Sequence, residues 1–326
     1  MGATSIRKKG RKTGTNGSVP ARSRLTFLAA LALVAGLIGA AVVACAQDAV
    51  FKVDARLVRL LVTVKDSAGN QVGSLSRANF AVGDNGVPQE IAFFERQTAQ
   101  PLSIALLVDI SGSTATNLKY ETASLSKFLR TLVEEGNADD AAALYALNYQ
   151  VTLLNSFTRR IARIEDSLKT LKADAGTALY DAVYLSSRDL RDREGRHVIV
   201  AVTDGGDTTS AKKFRDAETA AHRADTVFYS IVVVPISNPA GRNTGGEHAL
   251  ETLAANTGGR AFFPTVGTEL DRTFADILRD LRTQYLIAYY PKGVPLGDGA
   301  FHPVRVTIPD RKDLRITTRT GYYSDR

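Results

Sequence analysis

Five oxygen-bearing side chains, each following an apolar or glycine-marked run, are the residues of this chain best suited to chemistry. Asp109, Ser111 and Ser113 stand in Asp109-Ile-Ser-Gly-Ser113, directly after the apolar run Ile104–Val108. In an extended turn the two-residue spacing directs all three side chains to one side, and Gly112 is expected to let the loop fold tightly. Thr177 follows Gly176 at a predicted helix start, and Asp204 sits in Thr203-Asp-Gly-Gly206 after the apolar run Val198–Val202. Carboxylates and hydroxyls are ligands of hard divalent cations such as Mg²⁺, Mn²⁺ or Ca²⁺, and no Cys or His stands among them to favour zinc. Two carboxylates balance the double charge, while the weakly donating hydroxyls leave the ion electrophilic enough to take a carboxylate from a partner. The plainer alternatives are a turn or N-cap role for Asp109, capping by Ser111 and Ser113, an N-cap at Thr177 and a D-G turn at Asp204. Asp181 and Asp207 are expected to be solvated or to stand behind the site.

The elements that must position these residues alternate along the chain. Between about Ser103 and Leu281, buried-strand runs (Ile104–Val108, Ala141–Ala146, Val198–Val202, Val227–Val234) are separated by amphipathic helical patterns. In Glu269–Arg282 the apolar set Leu270, Phe274, Ile277, Leu278 and Leu281 falls on one helical face. This is the signature of an α/β fold, doubly wound, with a mainly parallel sheet and helices on both faces. Ligands of such sheets bind beyond the carboxyl ends of the strands, where all five residues map. Val151–Phe157 follows Tyr149-Gln150 so closely that it is expected to be an antiparallel edge strand reached by a hairpin.

Both flanks read as strands and turns. The expected organisation is a signal or anchor at 1–46, part of a small β domain at 47–100, the α/β domain at 101–282, and strands at 283–326 that complete a small β-sandwich. The tyrosines Tyr285, Tyr289, Tyr290, Tyr322 and Tyr323 are expected to pack cross-strand.

The formal charge of +7 invites a nucleic-acid reading. Seven basic residues and no acidic ones lie in residues 1–46, however, and the remaining 34 basic residues are matched by 34 acidic ones. Without the leader there is no basic footprint for nucleic acid. The leader has a basic start, an uncharged apolar run from Leu25 to Ala44, and small residues at Ala44-Cys-Ala46. That is the form of an export signal, with cleavage, lipidation at Cys45 or retention as a membrane anchor all open. The chain is therefore expected in the periplasm, the cell envelope or the medium. Cys45 is the only cysteine, so no disulfide can form within the rest of the chain.

Taken together, Asp109-Ile-Ser-Gly-Ser113, Thr177 and Asp204-Gly-Gly resemble the D-x-S-x-S, T and D elements of the metal-ion-dependent adhesion site (MIDAS) of von Willebrand factor type A domains. The resemblance spans roughly Ser103–Leu281, and the wider chain is similar to bacterial VWFA-related proteins with signal peptides. It implies direct coordination by Ser111 and Ser113, coordination by Thr177 directly or through water, and water-mediated contacts from Asp109 and Asp204. The implied ion is Mg²⁺ first, with Mn²⁺ or Ca²⁺ as alternatives, and the implied partner is a protein offering an Asp or Glu carboxylate.

Enzymatic readings fare worse. No G-x-S-x-G elbow surrounds Ser111, and phosphotransfer at Asp109 would prefer a second carboxylate where Ser111 stands. His197, His222, His248 and His302 show no partner pattern and are expected to be surface or capping residues. The chain reads as a non-enzymatic adhesion or protein-binding module. A structural envelope protein with a stabilising metal is the alternative, and a metal-dependent hydrolase comes third.

Overall fold

A computed structural model describes residues 57–96, 100–203, 206–233, 243–265, 267–297 and 299–324, all within one compact unit, Ala55–Arg326. The expected leader, its Cys45, the metal candidate Asp204 and the end of the run Val227–Val234 lie outside the described residues. No helix among the described residues is long and apolar enough to cross a membrane.

The chain begins with β1 (Val58–Lys65), β2 (Ala81–Asp84), β3 (Val87–Gln89) and β4 (Ile91–Arg96). The α/β segment follows as β5 (Leu102–Asp109), α1 (Leu118–Glu135), β6 (Ala141–Leu147), β7 (Val151–Thr158), α2 (Ile161–Thr170), α3 (Leu179–Arg191), β8 (Arg196–Thr203), α4 (Phe214–Arg223), β9 (Thr226–Val232), α5 (Thr244–Thr257), β10 (Ala261–Phe262) and α6 (Thr268–Thr283). It ends with β11 (Tyr285–Tyr289), β12 (Phe301–Thr307), β13 (Arg315–Thr317) and β14 (Gly321–Tyr323).

The six-stranded sheet has the order β10-β9-β8-β5-β6-β7, parallel except for β7, which lies antiparallel to β6 at the edge as expected. Every residue of β5, β6, β8 and β9 is buried, which is why these strands carry unbroken apolar runs rather than alternating ones. Alternation still sorts the side chains between the two faces. Ile104, Leu106 and Val108 meet Leu125, Leu129 and Ile277 on the face of α1 and α6; Ala105, Leu107 and Ala143 meet Leu179, Val183 and Leu253 on the other. The predicted stripe of α6 is buried throughout, and Phe274 packs on Phe128 of α1 with ring centroids 5.1 Å apart. At about 1.5–3 kcal/mol for each large apolar side chain, such a stripe is enough to fix a helix of this length.

The two flanks form two four-stranded antiparallel sheets, β13-β1-β11-β4 and β14-β12-β2-β3, around a shared core that includes Leu60, Val62, Val82, Ile287 and Val306. The chain turns at Glu90, which leaves β3 in one sheet and β4 in the other. One polar knot interrupts this core. Asp84, fully buried, accepts from the hydroxyls of Tyr289 (3.0 Å) and Tyr322 (2.8 Å), and His302 lies against its other oxygen at 3.5 Å. Tyr285, Tyr289 and Tyr322 thus turn inward; Tyr290 is exposed.

Three histidines depart from the expected surface or capping role. His197 is buried with its ring nitrogens against the carbonyls of Ala224 and Arg193, His302 is buried at the Asp84 knot, and His222 is buried on the inner side of α4. The sequence hid this because their partners are main-chain carbonyls or residues far along the chain. His248 alone of the four is exposed.

Where the flanks meet the α/β segment, Asp225 (φ 51°) accepts from Arg59 of β1 and from Arg319. Those two guanidinium charges hold its carboxyl below the ordinary range against the opposing effect of burial. Arg196 at the start of β8 donates to the carbonyls of Gln100 and Leu281, tying the segment that leads into β5 to the end of α6. Burial brings the Arg196 guanidinium down to about 10.

Candidate metal centre

β5 delivers Asp109 to the carboxyl edge of the sheet, where the chain breaks into a turn before α1. Asp109 is fully buried. Its Oδ1 accepts the Ser111 N–H (2.9 Å), and its Oδ2 accepts the Thr203 hydroxyl at the end of β8 (2.6 Å). The carboxylate is thus partly a turn residue and partly a tie to the neighbouring strand. Ser111 Oγ and Ser113 Oγ lie 3.1 Å apart, so the two hydroxyls converge. Neither caps α1, whose N-cap is Asn117. Thr114, which the sequence reading passed over, locks the turn: its hydroxyl donates to the carbonyls of Asp109 (3.0 Å) and Ser111 (2.9 Å).

The second loop is joined to the first. Ser111 forms a parallel bridge with Asp174, whose N–H donates to the Ile110 carbonyl at 2.7 Å. Thr177 is buried one residue before the N-cap of α3, which is Ala178, so it is not the cap. Its carbonyl accepts the Thr208 N–H (2.9 Å), and its N–H donates to the Thr208 hydroxyl (2.8 Å), which fastens it to the loop after β8. The glycine whose freedom this needs is Gly176, at φ 79°, with an added Cβ only 3.0 Å from Thr209 Cγ2. Gly112, expected to be the necessary one, lies outside the left-handed region, and a Cβ there would meet only ordinary contact with the Asp174 carbonyl at 3.8 Å.

The third loop carries Asp204, which lies outside the described residues. Its flanks are described: Thr203 holds Asp109, and Asp207 Oδ1 accepts the Tyr180 N–H and the Ser210 hydroxyl. Burial, with Asp207 second, raises the Tyr180 phenol above its ordinary value. Asp181 accepts the N–H groups of Ala211 and Lys212 and so anchors the chain on its way to α4. Asp181 thus binds loop main chain, whereas Asp207 binds the first turn of α3 and a loop hydroxyl. Thr114, Asp174, Thr203 and Thr208 were beyond sequence reasoning because their roles depend on which loops face each other.

A cation fits these donors. Ligands at adjacent corners of an octahedron, each 2.0–2.1 Å from Mg²⁺, lie about 3.0 Å apart. The Ser111 and Ser113 hydroxyls, at 3.1 Å, have that spacing. No group of three or more His, Cys, Asp or Glu side chains able to hold a metal occurs among the described residues. A site built on hydroxyls would not make such a group.

Residues 104–206, from β5 to the third loop, match the family model of the von Willebrand factor type A domain. Among solved structures, the PilB minor pilin from Streptococcus sanguinis is similar over 57% of this chain and 62% of its own, at 13% identity and a TM-score of 0.44. This chain thus spans less than two thirds of that pilin. A serine-substituted aerotolerance-related membrane protein from Bacteroides fragilis NCTC 9343 is similar over 55% of this chain and 98% of its own (17% identity, TM-score 0.43). The vWF domain of the type V pili tip protein Mfa5 from Porphyromonas gingivalis is similar over 61% and 99% (12% identity, TM-score 0.43). No curated protein matches the chain in sequence.

Proposed function

We propose, from the premise that this chain carries a von Willebrand factor type A domain, that it is an exported protein-binding or adhesion module working through a divalent cation. Asp109, Ser111, Ser113, Thr177 and Asp204 would hold the ion, Mg²⁺ in the first instance. A bound cation would supply an open coordination position for an Asp or Glu carboxylate of a partner protein. The carrying observation is the Ser111–Ser113 hydroxyl pair at octahedral-edge spacing beside the buried Asp109. The export-signal composition of the leader supports a place in the envelope or outside the cell.

Binding is favoured over a purely stabilising ion by the way the loops are held. Asp109–Thr203, Ser111–Asp174 and Thr177–Thr208 already join all three through protein contacts, so an ion adds little to their cohesion. Calorimetric titration of Mg²⁺ and Mn²⁺ into the protein tests the reading, with Ser113→Ala beside the wild type. Saturable one-to-one binding that is lost in Ser113→Ala supports it. Absence of binding with acetate present as a carboxylate ligand refutes it. Asp109→Ala is the weaker probe, because it also breaks the hydrogen bonds to Ser111 and Thr203 that hold the turn to β8.

A further inference from the structure

The outer edge of β12 opens onto a cleft of about 550 Å³, walled by Ile316–Thr320 and by Gly259–Ala261 at the start of β10. One edge of β12 is paired with β2 from Val304 to Thr307, whereas β14 covers the other edge only from Phe301 to Pro303. The Val304 N–H donates to the Thr320 carbonyl at 2.8 Å, which sets the alternation: Val304 and Val306 direct their main-chain groups to the outer side, and Arg305 directs its own to β2. At Thr320 the neighbouring chain departs, its N–H donating to the Asn256 carbonyl (2.8 Å) rather than to Val304. Among the described residues no strand then lies beside the Val304 carbonyl or either main-chain group of Val306.

The cleft is also chemically biased. Arg260, Arg305 and Arg319 line it with one acid, Glu251, and Arg260 is also paired with the buried Asp280 behind the wall at 3.5 Å. Arg319, its side chain 8% exposed, gives Nη1 to Asp225, yet its Nε is buried without a hydrogen-bond partner, as is the hydroxyl of its neighbour Thr318. Buried donors without acceptors are costly, and a site that supplies the acceptor from outside recovers that cost.

We propose that this cleft binds an extended acidic segment of a partner polypeptide, added as a strand to the outer edge of β12. The main-chain groups of Val304 and Val306 give the strand its hydrogen bonds, and the arginines select Asp or Glu in it. The site is separate from the metal centre and does not depend on it.

The test is selection of a display library of random nonapeptides on the full chain in EDTA, which removes any metal-borne carboxylate binding. The expected result is enrichment of Asp and Glu beside β-branched residues. The selected peptides should bind Arg305→Glu at least tenfold more weakly and Ser113→Ala unchanged. Val306→Pro removes the edge donor at a position whose N–H faces outward, where proline is compatible with the sheet. It should also weaken binding tenfold with its circular dichroism retained. Absence of acidic enrichment, equal affinity for Arg305→Glu, or loss of binding in Ser113→Ala overturns the proposal. Competition by free glutarate with no effect of Val306→Pro overturns it too, by making the cleft a small-anion pocket.

Discussion

His222 gives the fold a pH dependence whose size follows from its surroundings. It sits on α4 with its ring edge-on to Phe301 (centroids 5.2 Å apart) and Tyr323 (6.3 Å), and its Nδ1 has no hydrogen-bond partner. Burial, with the Arg319 charge second, lowers it to about 4 from the ordinary 6.5. A histidine depressed in the folded state contributes stability that is intact above pH 6.5 and is lost as pH falls toward 4, because the unfolded chain takes up the proton first. Between pH 7 and pH 5 the linkage amounts to about 2 kcal/mol. Other groups titrate in that window, so the informative quantity is a difference between variants. His222→Phe keeps an aromatic ring against Phe301 and Tyr323 and removes the proton. Urea unfolding of both proteins at pH 7 and pH 5 should show the wild type losing about 2 kcal/mol more than His222→Phe. Equal losses would refute the assignment of a neutral, buried imidazole.

Three further outcomes follow from the geometry. Ser113→Ala should lower Mg²⁺ affinity at least tenfold by calorimetry while the metal-free unfolding free energy in urea stays within about 0.5 kcal/mol of wild type, since among the described residues this exposed hydroxyl bonds only to Ser111. Gly176→Ala should destabilise by about 1–2 kcal/mol in thermal unfolding and weaken Mg²⁺ binding, because it forces a side chain into φ 79° and against Thr209 beside Thr177. Asp84→Ala should cost about 3 kcal/mol or more by leaving two buried tyrosine hydroxyls without their acceptor, whereas Tyr322→Phe should cost about 1 kcal/mol; comparable losses would show that the knot is not shared.

The doubly wound sheet was legible because its strands are buried on both faces and its outer helix keeps one apolar stripe: β5, β8 and α6 fall where the runs and periodicity predict them. The hairpin to β7 was legible from spacing alone. Short elements were not. β10 has two residues and β14 three, too few for any period, and both exist because longer neighbours offer them an edge. At the candidate site, residue types and strand ends pointed to Asp109, Ser111 and Ser113, which the fold places in one turn. Which glycine mattered was not legible, because φ at Gly112 and Gly176 depends on the loop bridge through Asp174. The buried histidines were missed for a related reason: a carbonyl acceptor leaves no mark in a sequence.

The pairing of β1 with β11, in register from Val58 with Tyr289, also dictates an order of assembly. Every strand partner of β5 to β10 lies within the stretch they span, so that sheet can close as soon as α6 has been made. β1 has no such option, and β2 finds only β3 close by: their other partners, β11 and β12, lie beyond the whole α/β segment. Until those are made, β1 and one side of β2 are edges without a neighbour, the condition in which β-structure is most prone to join a wrong chain. This defines a vulnerable interval, and a holding factor bound to residues 58–65 until β11 has been made would protect the chain through it.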